Sequence, residues 1–252
     1  MLPEDQAPVK KNSMILLDSA PIADGGGEIG LYQHGDDMVI KVVGGQTLMS
    51  TRSHGSEEAL ARIACAELAG RERTRVLIGG MGMGFTMASA LHHLAHDAEV
   101  VVAELVPAVI EWNRGPLGDH SGHPIRDERV TIHAVDVAIL LRGDLPVGDR
   151  RGVVEPEPFD AILLDVDNGP EGLTQEGNHW LYSKAGLEAS YRALRPSGVL
   201  AVWSADQDHA FSKRLRRTGF EVKQVPVRAR GRKGGRHFIW IARTREQRTV
   251  GG

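Results

Sequence analysis

A glycine-rich turn between an apolar run and a helical pattern most constrains how this chain can fold. The run Arg75–Ile78 ends in glycines at positions 79, 80, 82 and 84, and a helix-like pattern follows directly. A second apolar run, which begins at Glu99, stops on the acid Glu104, 20 residues after Gly84. This order predicts a strand, a tight turn, a helix and a second strand that ends in a carboxylate. Because glycines let the backbone approach a ligand and the acid can accept both ribose hydroxyls, we expect an adenosine-containing cofactor here.

The rest of the chain alternates strand and helix patterns, which is typical of an α/β protein with a Rossmann-like, mostly parallel sheet. The expected strands are 75–78, 99–104, 129–133, 159–165 and 198–204. The expected helices lie near 56–68, 84–95, 106–114, 136–142, 179–194 and 208–217. The last two apolar runs, 219–227 and 235–242, are separated only by a turn, so they predict an antiparallel hairpin. This ending favours a class I methyltransferase-type sheet over a dehydrogenase-type sheet.

The region before residue 56 predicts a small, separate antiparallel β appendage. Its apolar runs at 30–33, 38–43 and 46–49 alternate with Gly and Asp turns, as hairpins do. The first dozen residues look disordered. We therefore divide the chain into a tail and β appendage at 1–55, a cofactor-binding and catalytic domain at 56–246, and a disordered tail at 247–252.

The composition, 41% hydrophobic and 25% charged, is that of an ordinary globular protein. No apolar run approaches the roughly 20 residues that a membrane helix needs. The run Met14–Leu17 is too short for the apolar core of a signal peptide, and Glu4 and Asp5 oppose one. The single cysteine, Cys65, cannot form an internal disulfide, so we expect a cytoplasmic protein in which Cys65 is a small core residue.

The net charge of −3 conceals a strong asymmetry along the chain. Residues 213–248 carry 13 Lys or Arg and 2 acids, whereas the residues before them carry 17 Lys or Arg and 31 acids. A basic segment of this kind can bind nucleic acid. However, the run 228–236 lies in the turn of the expected final hairpin, without an aromatic platform or a recognisable RNA-binding module. We therefore interpret it as a solvated hairpin tip and do not expect a nucleic-acid partner.

Acids follow the third and fourth expected strands. Asp136 comes after the third strand, where an acid could bind the adenine of a nucleotide. The fourth strand ends in Asp165 and Asp167, which point the same way because they are two apart on an extended segment. The sequence Asn168-Gly-Pro170 predicts a turn, which places both acids at the functional edge of the sheet. A carboxylate there can hold the proton of an attacking amine, although capping of the turn is the alternative.

With these motifs the chain resembles the spermidine synthases, which are polyamine aminopropyltransferases built on the class I S-adenosylmethionine-dependent methyltransferase fold. The shared order is the glycine turn, the acid on strand two, the Asp after strand three and Asp-x-x-(Asp/Asn) after strand four. The resemblance runs from about residue 30 to residue 242. The segment Leu181–Leu187 is similar to the one after the family's active-site loop, and Leu194–Val202 is similar to its entry to strand five.

The resemblance implies S-adenosylmethionine or its decarboxylated form as donor, a small-molecule acceptor and a homodimer. It implies donor-binding residues at Gly79, Gly80, Gly82, Gly84, Glu104, Leu105, Asp136, Val137 and Asp165. We expect catalytic roles for Asp165 and Asp167, and acceptor contacts from Gln33, His54, Ser56, Glu57, Asn168, Trp180 and Tyr182. We expect no metal, because His92 and His96 share a helix face without a third ligand at fixed spacing.

Three positions depart from the family pattern. Gly82 stands where the family has an Asp within the glycine turn, Asn168 replaces its second loop acid, and Ser56 replaces a Tyr that helps to gate the diamine. Each missing carboxylate weakens the binding of a dicationic diamine by about 1.5–3 kcal/mol. The sequence therefore favours methyl or related group transfer to a small-molecule amine or other nucleophile. Aminopropyl transfer to a diamine is the alternative, ahead of a nucleic-acid methyltransferase or a non-catalytic cofactor-binding protein.

Overall fold

The computed structural model describes residues 14–22, 27–144, 157–166, 179–230 and 233–246. The chain divides into two compact units, Met1–Arg52 and Ser53–Gly252. The expected disordered ends, 1–12 and 247–252, lie outside the described residues.

The first unit is an antiparallel sheet with the strand order β1-β2-β3-β4. Its strands are β1 (Met14–Pro21), β2 (Glu28–His34), β3 (Asp37–Val42) and β4 (Thr47–Ser50). The last three match the expected hairpins. Strand β1 was not expected, because its apolar residues show no alternation; pairing with β2 makes this segment a strand. As the edge strand, β1 leaves the side chains of Met14–Leu17 exposed.

The second unit is a seven-stranded α/β sheet. Its strands are β5 (Arg75–Gly79), β6 (Glu99–Ala103), β7 (Val130–His133), β8 (Phe159–Leu164), β9 (Leu194–Ser204), β10 (Glu221–Arg230) and β11 (Lys233–Arg243). Its helices are α1 (Gly55–Ala66), α2 (Phe85–His93), α3 (Pro107–Arg114), α4 (Gly118–Ser121), α5 (Val137–Arg142), α6 (His179–Tyr182), α7 (Lys184–Ala193) and α8 (His209–Thr218). The strand order is β10-β11-β9-β8-β5-β6-β7. Among the described strands of this sheet, β11 alone runs opposite to the other six, which confirms the Rossmann-like sheet with a C-terminal hairpin.

One expected helix is two helices in the structure. Residues 179–194 were expected to be continuous, but Ser183 takes an extended conformation between α6 and α7. Its hydroxyl accepts a hydrogen bond from the Gly186 N–H at 3.2 Å, so it caps the start of α7. The next strand begins earlier than expected, at Leu194, because that residue already pairs with Phe159 of β8.

Alternating strand residues fill two core layers, one on each face of the sheet. On one face Leu77, Ile162 and Leu200 belong to a buried cluster that contains side chains of α5, α7 and α8. On the other face α1 packs against α2 and against strands β8 to β11. Cys65 of α1 is buried, and its burial raises the pKa of the thiol to about 12, so it is a core residue and not a nucleophile. Among the described helices, none is long and apolar enough to span a bilayer.

The strand order places a ligand-binding crevice at the end of β5. This strand lies between β6 and β8. After β5 the chain first adds β6 and β7 on one side and then crosses to add β8 and β9 on the other side. Ligands of open α/β sheets bind at this reversal, beyond the carboxyl ends of the strands. The register pairs Gly79 with Leu164, which brings the glycine turn beside Asp165.

Candidate active site at the end of the central strands

The turn after β5 is built from glycines in the left-handed region. Gly80, Gly82 and Gly84 have φ values of 87°, 51° and 84°. A Cβ on Gly80 would lie 2.5 Å from the carbonyl oxygen of Asp165, and one on Gly84 would lie 2.8 Å from Asn113 Oδ1. Glycine is therefore required at positions 80 and 84 for two reasons, which are the backbone conformation and the close approach of neighbouring segments.

Glu104 is held against this turn by backbone donors. Its carboxylate accepts hydrogen bonds from the N–H groups of Met81 at 2.9 Å and Val106 at 2.8 Å. Burial raises the pKa of Glu104, and the backbone hydrogen bonds act in the opposite direction. A carboxylate fixed in this way at the end of β6 can accept from the hydroxyls of a ribose.

The start of α5 completes this side of the crevice. Asp136 caps the helix, with Oδ1 accepting from the Ala138 N–H at 2.8 Å, and its second oxygen can accept from an adenine amine. A Cβ on Gly79 would lie 3.0 Å from the Val137 side chain, so the helix start touches the end of β5. Leu105 is half-buried in the connection from β6 to α3.

Unsatisfied polar atoms at the turn fit a polar ligand. Asn113 Oδ1 and Ser121 Oγ are buried and have no hydrogen-bond partner within the described part of the chain. Both lie within about 3 Å of the position that a Gly84 Cβ would take. Buried polar atoms without partners are costly, so a ligand that donates to them would be favoured. Together with Glu104 and Asp136, they form a set of mainly hydrogen-bond-accepting groups that suits the hydroxyls and amines of an S-adenosyl group.

Two carboxyl groups interact beside the turn. The Oδ2 of Asp165 accepts a hydrogen bond from the Thr86 hydroxyl at 2.7 Å. That hydroxyl also lies 3.4 Å from the main-chain oxygen of Glu57, which ties the first turn of α1 to α2. Burial raises the pKa of both Asp165 and Glu57, and the charge of Asp165 raises that of Glu57 further. The two groups therefore hold a proton more readily than isolated carboxyls do.

A hydrogen-bonded chain leads away from Glu57. The hydroxyl of the buried Ser56 donates to Glu57 Oε2 at 2.6 Å, and His237 Nδ1 lies 3.0 Å from the same Ser56 oxygen. The half-buried His237 ring packs edge-to-face on Trp203, with the ring centroids 4.8 Å apart. Burial lowers the pKa of His237, while the charge of Asp206 opposes this shift.

His54 lies at the mouth of a neighbouring groove. Its ring stacks on Phe85 at a centroid distance of 4.0 Å, and its Nδ1 lies 3.0 Å from Oε1 of Glu58. The groove has a volume of about 400 Å³ and is also lined by side chains that include Ser89, His92, His93 and His120. Within the described ranges, no group of three His, Cys, Asp or Glu side chains could hold a metal ion.

Tyr182 and Trp180, two further acceptor residues predicted from sequence, both belong to α6. Tyr182 is buried in the core, edge-to-face with Phe211, and its contact with the acceptor stays a prediction. The ring of Trp180 lies under the guanidinium of Arg142 at 3.9 Å, in a cation–π contact. Whether Trp180 also contacts the acceptor stays a prediction.

Three further predicted residues belong to the first unit or fall outside the described residues. Gln33 belongs to β2 of the first unit, where its Nε2 donates to the Gly35 carbonyl at 3.2 Å. Asp167 and Asn168 lie outside the described residues, so their roles stay predictions.

Sequence reasoning missed Thr86 and His237. Thr86 had a usable signal, because it follows the last glycine of the turn by two residues and so belongs to the first turn of α2. His237 had none, because it is 181 residues away from Ser56 in the chain. Only the position of β11 in the sheet brings the two together.

Comparisons with known proteins agree with this geometry. No family model matches the chain. The polyamine aminopropyltransferase of Mycobacterium tuberculosis is 29% identical over 175 residues, which cover 69% of this chain and 30% of that protein. Polyamine aminopropyltransferase 2 of Pseudomonas aeruginosa is 30% identical over 152 residues, which cover 59% of this chain and 38% of that protein. The chain thus spans well under half the length of these curated relatives.

The fold has a close counterpart among solved structures. Spermidine synthase from Thermotoga maritima matches with a TM-score of 0.67 and 19% identity, over 91% of this chain and 72% of that one. A putative O-methyltransferase from Klebsiella pneumoniae and TrmN from Thermus thermophilus match less well, each with a TM-score of 0.50. As predicted, the chain is therefore similar to polyamine aminopropyltransferases in sequence and to spermidine synthase in fold. Among the functions considered, these matches support the aminopropyltransferase alternative better than methyl transfer.

Proposed function

We propose that this chain is a transferase that moves the aminopropyl group of decarboxylated S-adenosylmethionine to a small amine. The observation that carries the proposal is the carboxyl pair of Asp165 and Glu57 beside the glycine turn. A cationic amine is attracted to such a pair, and its positive charge favours ionisation of both acids. The similarity to polyamine aminopropyltransferases points to the same class of acceptor.

The roles of the residues follow from their positions. The donor would supply a carbon activated by a sulfonium leaving group, with Glu104 holding its ribose and Asp136 its adenine. Asp165, which Thr86 orients, would take the proton of the attacking nitrogen so that its lone pair is free. Glu57 would anchor the ammonium form and so supply the second carboxylate that Asn168 lacks.

Ser56 gives a physical reason for the missing tyrosine of the family pattern. Its small side chain is buried and donates to Glu57, which fixes the carboxylate next to Asp165. A tyrosine at this position would replace that short contact with a bulky ring. We therefore interpret the substitution as part of a rebuilt acceptor site.

Methyl transfer from intact S-adenosylmethionine is the second candidate function. It is favoured by Gly82, because the carboxylate that the family pattern has at this position is missing and its loss weakens the binding of a dicationic diamine. Calorimetric titration with intact S-adenosylmethionine, its decarboxylated form and methylthioadenosine separates the two. Preference for the decarboxylated form supports our proposal, whereas preference for the intact form supports methyl transfer.

Turnover tests the acceptor directly. We expect mass spectrometry to detect aminopropyl transfer to members of a series of aliphatic diamines. We expect Asp165→Asn to abolish this transfer without changing donor binding. Glu57→Gln should weaken the binding of the acceptor. Glu58→Gln is the matched control, because it alters an exposed acid on the same helix. No transfer to any diamine, despite donor binding, would contradict the proposal.

We also propose that the chain acts as a homodimer. The exposed apolar side chains of β1 support this, since exposed apolar patches commonly mark interfaces. Light scattering coupled to gel filtration should give twice the mass of the chain, and a monomer at working concentration would contradict it.

A further inference from the structure

We propose that the tip of the β10–β11 hairpin binds the backbone of a single-stranded nucleic acid. The residues that carry this binding are Arg228, Arg230 and Arg236, which we call the tip arginines. The sequence alone predicts a solvated tip, because the basic run lacks an aromatic platform. Two features of the tertiary structure point the other way: cations that face each other across the hairpin, and an aromatic ring beneath one of them.

The tip is a two-stranded ribbon that extends past the neighbouring strand. Phe238 of β11 pairs with Ser204, the last residue of β9. The residues of β11 before Phe238 therefore pair with β10, the outermost strand of the sheet. The ribbon is thus accessible to a long ligand.

Two tip arginines face each other on this ribbon. Arg228 is the register partner of Arg236. The side chains of such a pair leave the same face and lie close together, so two like charges there destabilise the hairpin. Arg230 points to this face as well, because the buried Ala229 between it and Arg228 points to the other face. The fold therefore concentrates three exposed cations on one face.

Among the described residues, no carboxylate forms an ion pair with a tip arginine. Arg228 Nη1 donates to the Gly234 carbonyl at 3.4 Å, which uses one of five guanidinium N–H donors. At the other end of β11, by contrast, Arg243 contacts Glu67. An anionic ligand would supply the charge that the tip lacks.

An aromatic ring supports one of these cations. The guanidinium of Arg236 lies over the ring of the half-buried Phe238, 5.2 Å from its centroid. Phe238 in turn packs against the apolar core. Proteins bind single-stranded nucleic acids with cations that follow the phosphates and with surfaces on which bases stack, including the plane of an arginine. The tip offers both.

Protection of an exposed sheet edge is the alternative reason for charges here. Lys223 and Pro226 already provide it on β10, since both are exposed, and a charge or a proline discourages the pairing of another strand. A cation directly opposite another adds repulsion within the hairpin, which edge protection does not require.

Salt dependence gives the proposal a magnitude. The whole chain carries a net charge of −3, so attraction to a polyanion has to come from a local cluster. Three phosphate contacts with a single strand predict a loss of affinity of about 20-fold between 50 and 200 mM salt.

Fluorescence anisotropy with a labelled single-stranded RNA of about 20 nucleotides tests the proposal. The test variant is Arg228→Gln/Arg236→Gln. The matched control is Arg216→Gln/Arg217→Gln, which removes two exposed arginines of α8 and changes the net charge equally. Helix α8 ends just before β10 begins, and the strand from 221 to 228 spans about 23 Å, so the control lies far from the tip.

We expect the test variant to bind the RNA about 10- to 100-fold more weakly at 50 mM salt, with its salt dependence reduced to about threefold. The control should keep the wild-type Kd, and urea melts of the three proteins should coincide. No binding by the wild type, or equal losses in the two variants, would overturn the proposal.

Competitors identify the class of polyanion. Unlabelled RNA should displace the labelled strand, whereas polyglutamate of equal charge should displace it poorly, because it has no bases to stack. Equal displacement by polyglutamate, or tighter binding of a duplex of the same length, would overturn the assignment to a single strand. Aminopropyl transfer should be the same in both variants, so this proposal and the proposed function fail independently.

Discussion

The glycine turn can be tested by a single methyl group at Gly80. In Gly80→Ala the new Cβ would lie 2.5 Å from the carbonyl oxygen of Asp165, closer than real Cβ contacts. Its φ of 87° adds strain for any L side chain. Gly122 is a matched control in the same unit, because it has a φ of 78° and open space around its Cβ position.

Comparing Gly80→Ala with Gly122→Ala separates the cost of the backbone conformation from the cost of the steric overlap. The left-handed conformation costs an alanine roughly 1–2 kcal/mol in both variants. Overlap with packed backbone adds about 1–3 kcal/mol for Gly80→Ala alone. The loss of unfolded-state freedom is common to both substitutions and cancels in the comparison. We therefore expect Gly80→Ala to lower the free energy of unfolding by about 1–3 kcal/mol more than Gly122→Ala does.

Urea denaturation followed by tryptophan fluorescence measures this difference, since all four tryptophans lie in the second unit. Donor binding by calorimetry measures the local consequence. Relief of the overlap must move the Asp165 backbone, so we expect donor affinity to fall in Gly80→Ala and to stay constant in the control. Equal urea midpoints and equal donor affinities would refute the close packing that we assign to the turn.

The remaining predictions concern three acids. Because the pKa of Glu57 is raised in the folded state, its contribution to the free energy of unfolding is full at low pH. That contribution is lost as pH rises through the folded-state pKa. Glu57→Gln should therefore raise the free energy of unfolding at pH 8 by about 1–3 kcal/mol and change little near pH 4, a pattern that Glu58→Gln should lack in the same melts. The raised pKa of Asp165 predicts that kcat/KM for the amine rises with pH across the neutral range, and a flat profile would count against its role as base. In Glu104→Gln the amide cannot accept from both backbone N–H groups, so we expect donor Kd to rise at least about tenfold, and an unchanged titration would exclude Glu104 from the donor site.

Local patterns in the sequence predicted the part of the site that lies on consecutive elements. The glycines of the turn, Glu104 and Asp136 follow three successive strands, and parallel strands bring their carboxyl ends to one edge. Hydrophobic periodicity also predicted the parallel sheet and the final hairpin, because core-facing residues repeat with the period of each element.

Contacts between distant segments were beyond such patterns. The strand β1 forms through its pairing with β2, and the burial of Tyr182 depends on its contact with Phe211 of α8. These outcomes depend on which surfaces meet. The Ser183 cap, which divides one expected helix, is a local contact that sequence reasoning missed.

The sequence alone determined the α/β fold and predicted a donor site at the glycine turn, because turn glycines, strand-end acids and apolar periods act over a few residues. What only the tertiary structure decided is the grouping of Asp165, Glu57, Ser56 and His237, which come from the loop after β8, the helix α1 and the strand β11. The strand order places β11 next to β9 and lets α1 pack across the same strands, so residues 181 positions apart share a hydrogen bond. Short-range propensities carry no information about such pairings, which are set by the burial of the whole sheet.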